Sequence, residues 1–131
     1  MTELKYKTLT AEIIGASMAV HNELGSGFPE RFYHRALVIE LELRAITYTT
    51  EHWMNVFYKH RLIGKRRVDF FIEQKIMVEI KALNKLDHSN IAQAKNYLEA
   101  YNLEVGLLIN FGAVSLEFKR IQNLKFNPNN Q

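Results

Sequence analysis

The sequence predicts an α/β fold, a mixed sheet flanked by helices, and three observations predict it. Two segments of helical periodicity open the chain. A run of strand-forming residues with two short alternating segments occupies the middle. A third helical segment then leads into a buried, nearly unbroken apolar strand, and the resulting order is α-α-β-β-β-α-β-β.

The first helix runs from about Thr10 to Leu24, with Ile13, Ile14, Ala16, Met18, Val20 and Leu24 at helical spacing. Gly25-Ser26-Gly27 breaks it, and Pro29 suits the first position of a second helix. That helix extends to about Arg44, with Phe32, Ala36, Ile39 and Leu43 as its apolar stripe. From Thr47 to Tyr58 the β-branched and aromatic residues favour strand, Trp53 among them as a core or sheet-packing residue. A basic turn is expected over Lys59 to Lys65. Two strands follow, Arg66–Ile72 and Ile76–Ala82, joined at Glu73-Gln74-Lys75. A third helix spans about His88–Tyr101, and strands at Leu103–Asn110 and Ser115–Ile121 complete the order.

The chain has 131 residues, 47% apolar and 24% charged, which suits one globular domain over 1–126. Residues 127–131, Asn-Pro-Asn-Asn-Gln, read as a flexible tail. There is no cysteine, so disulfides, thiolate metal sites and a cysteine nucleophile are excluded. The first residues lack the apolar run of a signal peptide, and no stretch approaches the ~20 apolar residues of a membrane span. A cytoplasmic protein is the expectation. The net charge of +3 permits a polyanionic partner without requiring one.

The Arg66–Ala82 hairpin carries the chemistry. If Gln74 centres the turn, residues whose numbers sum to 148 lie opposite one another. Asp69 then faces Glu79, and Arg67 faces Lys81, on the charged side of strands whose other side is apolar. Two carboxylates ~5 Å apart repel by about 3 kcal/mol at an effective dielectric near 20. A hard divalent cation, magnesium or in its place manganese, would offset that cost, with the Ile80 carbonyl as a further oxygen ligand. Lys81 would orient a water or stabilise charge developing on a phosphate. The same residues also suit a checkerboard of ion pairs, Asp69 with Lys81 and Arg67 with Glu79, with no metal at all.

These residues resemble a known family. Asp69 followed by Glu79-Ile80-Lys81 resembles the PD-(D/E)XK signature. Gly27-Phe28-Pro29-Glu30-Arg31-Phe32-Tyr33 matches GxxExxY, which names a family of small proteins in that nuclease superfamily. Val20-His21, Gly64 with Arg67-Val68-Asp69, Gly106 to Gly112, and Phe118-Lys119-Arg120-Ile121 agree in order. Val68 stands where the signature has proline, and His60 where relatives tend to have glycine. The resemblance implies a restriction-endonuclease-like core and a magnesium-dependent nuclease acting on DNA. It implies metal binding by Asp69 and Glu79, a water-assisting Lys81, and an added carboxylate from Glu30. Gln93 and Tyr97, four apart on one helix face, match the Gln-x-x-x-Tyr pattern of a subset.

Each candidate has a plainer reading. Glu30 complements a helix N-terminus. Glu40 and His21 suit solvated or packed helix positions. Tyr33 packs on the sheet, with its hydroxyl toward the site. Lys65, Arg66 and Arg67 are either a solvated hairpin tip or, with Tyr97, contacts to nucleic acid whose phosphate pairing would position a duplex without reading its sequence. A nuclease-like binding module without turnover is the alternative function, and a homodimer is a further expectation.

Overall fold

The computed structural model describes residues 6–130; residues 1–5 and 131, which include part of the N-terminal reading and the end of the expected tail, lie outside the described residues. Helix α1 (Lys7–Leu24) buries Ile13, Ala16 and Val20. It stops where Gly25 takes φ 70°, a conformation costly for residues with a Cβ, and donates its amide to the His21 carbonyl at 2.8 Å. Helix α2 (Glu30–Leu43) starts directly after Pro29.

The buried stripe of α2 differs from the expected one. Tyr33, Leu37 and Leu41 face the core, while Phe32, Ile39 and Leu43 are exposed. The helix carries apolar residues on two faces, so periodicity alone leaves the choice open. Tyr33 wins the core position because its hydroxyl is satisfied there. It donates to the Gly25 carbonyl at 2.6 Å and accepts from the Phe28 amide at 3.1 Å. That hydroxyl fastens the α1–α2 turn and does not serve the site.

The middle of the chain is divided between two sheets. Strands β1 (Tyr48–Thr49), β4 (Phe70–Ile72), β5 (Ile76–Lys81), β6 (Val105–Asn110) and β7 (Glu117–Gln122) form a five-stranded sheet in the order β1-β4-β5-β6-β7. Only the β5–β6 pair is parallel. Strands β2 (Trp53–Tyr58) and β3 (Arg61–Arg67) form a separate two-stranded ribbon. The expected single strand Arg66–Ile72 is therefore interrupted. At the break, the Val68 amide bonds the His52 carbonyl at 3.1 Å, and the Asp69 carboxylate takes the Ile80 amide at 2.9 Å. The basic turn expected over Lys59 to Lys65 is confined to Lys59 and His60, both at positive φ, and Arg61 to Lys65 are strand.

The β4–β5 register is the one a turn centred on Gln74 requires: Phe70 opposite Val78, Phe71 opposite Met77, Ile72 opposite Ile76. The expectation of one apolar and one charged face does not hold, because both faces are covered. Phe70, Ile72, Ile76, Val78 and Ile80 pack with α1 and α2. Phe71 and Met77 pack beneath helix α3 (His88–Ala100) with Ala94 and Leu98. Burying each such side chain contributes about 1.5–3 kcal/mol.

Helix α3 begins at a reciprocal cap, in which the Asp87 carboxylate and the Asn90 side chain each accept the other's backbone amide at 3.0 Å. Buried Asn110 ends β6 and pins the segment beyond Lys81. Its amide donates to the Leu83 carbonyl at 2.9 Å and its oxygen accepts the Leu83 amide at 2.8 Å. The chain crosses Leu83 so closely at Gly112 that any Cβ there would meet backbone at 2.5 Å. Asn127, assigned to the tail, exchanges two hydrogen bonds with Asn102, and Pro128–Asn130 form a 3-10 turn. Among the described residues no helix is long and apolar enough to cross a membrane.

Candidate active site

The interruption between β3 and β4 creates the site. Where β4 ends, β5 continues, and its edge is left without a ladder partner at Ile80. Asp69 supplies one with its carboxylate. Residues alternate along a strand, and the Lys81 carbonyl pairs across β6 with Phe111 at 2.9 Å. The polar groups of Ile80 therefore point the other way, toward Asp69. Glu79 and Lys81 share the α3 side of β5.

Glu79 is 3% exposed. Its carboxylate is paired with the Arg66 guanidinium, and it accepts the Asp69 amide weakly at 3.4 Å. Burial, opposed by Arg66 and reinforced by repulsion from Asp69, pushes the Glu79 carboxyl up to about 7. Arg66 lies over the Tyr97 ring at 4.2 Å. Burial disfavours its charge, but the hydrogen bond to Glu79 and its attraction outweigh that and hold its pKa above the ordinary value. The checkerboard partner named from sequence was Arg67. The break at Val68-Asp69 shifts the alternation by one, so Arg66 turns inward, while Arg67 reaches the exposed Glu51 at 3.3 Å. Arg66 and Tyr97, expected as contacts to nucleic acid, are thus engaged with Glu79 and with each other.

The sequence-derived candidates fall into two adjoining places. A cleft of about 590 Å³ is lined by Glu30, Arg31, His34, Arg35, Arg67, Asp69 and Ile80, with Thr50 and Glu51 at its side. A narrow gap of about 10 Å³ is lined by Glu79, Lys81, Gln93, Tyr97 and Arg66. Lys81 donates from Nζ to Gln93 Oε1 at 3.5 Å, so these two candidates meet. Glu30 sits at the start of α2. Burial first, then repulsion from Asp69, raises its pKa, with Lys81, His34 and Arg66 pulling the other way. Those influences place Glu30 within electrostatic reach of both halves.

Among the described residues, no three acidic or histidine side chains converge as a finished metal cage. The donor set nevertheless fits a hard divalent ion. The Asp69 carboxylate, in the break before β4, raises the proton affinity of Glu79 on β5, and a guanidinium, a monovalent cation, covers Glu79.

His34 was not anticipated. One turn after Glu30, it donates from Nε2 to the Asp69 carbonyl at 3.2 Å and stacks on Phe70 at 4.4 Å. The i, i+4 spacing from Glu30 was the available signal. Arg31 and Arg35, on the same helix, were also missed. His21 donates from Nε2 to the Ala113 carbonyl at 2.9 Å, and Glu40 pairs with Arg44 at 3.2 Å, so both are structural. Trp53, expected to pack in the core or on the sheet, is 54% exposed on the ribbon.

Known proteins place this arrangement. No curated protein matches the chain. The solved structure of SSO0001 superposes with a TM-score of 0.58 at 18% identity, over 91% of this chain and 61% of that one. The chain thus spans under two thirds of that protein's length, and at this identity the likeness is one of fold. The family model of the PD-(D/E)XK nuclease superfamily matches residues 7–121, from the first helix through the last strand. With that match across its sheet and all three helices, the chain belongs to the PD-(D/E)XK nuclease superfamily.

Proposed function

We propose that the protein is a magnesium-dependent nuclease of the GxxExxY type that hydrolyses phosphodiester bonds of DNA. The observation that carries this reading is the meeting of Asp69 with the β5 edge beside Glu79 and Lys81. In this reading Asp69, Glu79 and the Ile80 carbonyl hold the ion, and Glu30 completes its surroundings from the cleft. When bound, the ion supplies Lewis-acid polarisation of the phosphate and a water of lowered pKa.

The chain's own groups do the rest. Arg66 leaves Glu79 and becomes free to meet a phosphate. Lys81 positions the attacking water and stabilises the negative charge that builds on the phosphoryl oxygens. Gln93 holds the Lys81 ammonium in place, and His34 fixes the Asp69 backbone. Arg31, Arg35 and Arg67 give the cleft a cationic wall for the substrate's backbone.

The test is cleavage of single-stranded, duplex and branched DNA in magnesium by the protein and by Glu79→Ala. Cleavage by the unaltered chain alone supports the reading. Equal cleavage by both, or by neither, counts against it.

One observation favours a second reading, a binding module without turnover. Arg66 neutralises Glu79 and leaves almost no free volume beside it. Under that reading DNA binding persists with a steep salt dependence and is indifferent to magnesium.

A further inference from the structure

The β2–β3 ribbon stands outside both buried clusters for most of its length. Trp53, Phe57, Tyr58, Leu62 and Ile63 are exposed on it. From Trp53 to Arg67 the sequence holds Lys59, Arg61, Lys65, Arg66 and Arg67 and no acidic residue. Core packing explains neither the exposed rings nor the one-sided charge.

Strand register orders these groups. Trp53 lies opposite Arg67, and Asn55 opposite Lys65, so all four side chains share one side of the ribbon. The Lys65 ammonium lies 5.5 Å and the Arg67 guanidinium 6.0 Å from the centre of the Trp53 ring. Arg67 also lines the cleft that holds Glu30 and Asp69. An aromatic surface flanked by cations therefore leads, through Arg67, into the candidate active site.

We infer that this face is a guide for an unpaired nucleic-acid strand. One base stacks on Trp53, Lys65 and Arg67 hold the neighbouring phosphates, and the strand continues into the cleft beside Asp69. The far end of that path rests on the nuclease reading of the cleft; the stacking site does not.

Three arguments select this occupant. An exposed ring with two cations over it, which a stacking base displaces toward its own phosphates, matches the sequence-tolerant way in which single strands are bound. In a duplex the faces of internal bases are already covered by their neighbours, so Trp53 has nothing to stack on. The cleft, at about 590 Å³, has the volume of a small-molecule pocket and so has room for a short stretch of one strand. A second copy of the chain is disfavoured, because two ribbons without an acidic residue repel each other.

The chain contains one tryptophan, so its fluorescence reports Trp53 alone. The experiment titrates the full chain, in chelator, with a single-stranded thymidine oligomer and with a blunt duplex of equal length. Binding is followed in parallel by polarisation of labelled oligomer. The expected result is quenching by the single strand and little by the duplex. Trp53→Ala should weaken single-strand binding five- to tenfold or more, and Trp53→Phe should retain most of it. Lys65→Glu, which leaves the ring in place, should also weaken it.

Saturating single-strand binding without quenching overturns the inference, and so does unchanged affinity in Trp53→Ala. Equal quenching by duplex, or a dimer that Trp53→Ala dissociates, overturns it as well. Quenching without cleavage in magnesium supports the guide while counting against the nuclease activity, so the two failures are distinguishable.

Discussion

At the scale of single residues, the site turns on what Arg66 does to Glu79. A carboxylate this deeply buried is costly unless paired, and Arg66 provides the pairing. Arg66→Ala should therefore lower stability by about 2–4 kcal/mol at pH 8, measured by urea denaturation. Because Arg66 lowers the Glu79 pKa, its removal raises that pKa further, and at pH 5 Glu79 is neutral. The loss should then shrink, and magnesium at pH 8 should restore part of it; a loss independent of pH and metal would contradict the pairing. Glu79 itself has a folded pKa above its ordinary value of 4.5, at about 7. The folded state then holds more protons than the unfolded state between those values. Stability should fall as pH rises from about 4.5 through 7, by roughly 3 kcal/mol in total. Glu79→Gln, which cannot ionise, should remove this dependence, and parallel unfolding curves at pH 5 and 7.5 would check it.

At the scale of elements, legibility followed how locally each feature is determined. The β4–β5 register could be read because a short turn at Glu73 and Gln74, both at positive φ, fixes which residues oppose. Helix α3, expected at about His88–Tyr101 and found at His88–Ala100, is likewise locally determined, its start set by the Asp87–Asn90 cap that the structure shows. The interruption at Val68-Asp69 could not be read, since strand propensity runs unbroken from Arg66 to Ile72 and only pairing with β2 and β5 divides it. The Arg66 for Arg67 exchange follows from that one unseen break, and so does the sorting of the candidates between a cleft and a narrow gap. The buried face of α2 was hidden for another reason: a hydrogen-bonded tyrosine outcompetes a phenylalanine, and its partners lie in a loop. One element carries a cost open to measurement. Lys59 and His60 form the ribbon turn with φ of 47° and 66°, a conformation that favours glycine. His60→Gly should stabilise the ribbon by about 0.5–1 kcal/mol. The ribbon pairs with no other strand and exposes most of its side chains, so the gain should appear as a two- to fivefold slowing of amide exchange in β2 and β3. A shift in the global unfolding midpoint without that slowing would show that the ribbon does not open separately.

At the scale of the whole molecule, a net charge of +3 understates the electrostatics. The ribbon carries basic residues only, while the cleft alternates Arg31, Arg35 and Arg67 with Glu30, Glu51 and Asp69. Arg67 belongs to both, so the basic residues of the ribbon continue into the cleft. An exposed pair like Arg67 with Glu51 holds little energy, so a phosphate can take the arginine at small cost. Counterion release turns this into a number. Four phosphates met by Lys65, Arg67, Arg31 and Arg35 give a slope of log affinity against log salt of about −3 for a single strand. Each cation replaced by alanine should reduce the slope by about 0.7. Lys119→Ala, on β7, should leave it unchanged even though it alters the net charge equally. Titrations of labelled oligomer at several potassium chloride concentrations would separate the cases. Equal effects of Lys65→Ala and Lys119→Ala would mean that overall charge, and no defined path, draws the strand to the protein.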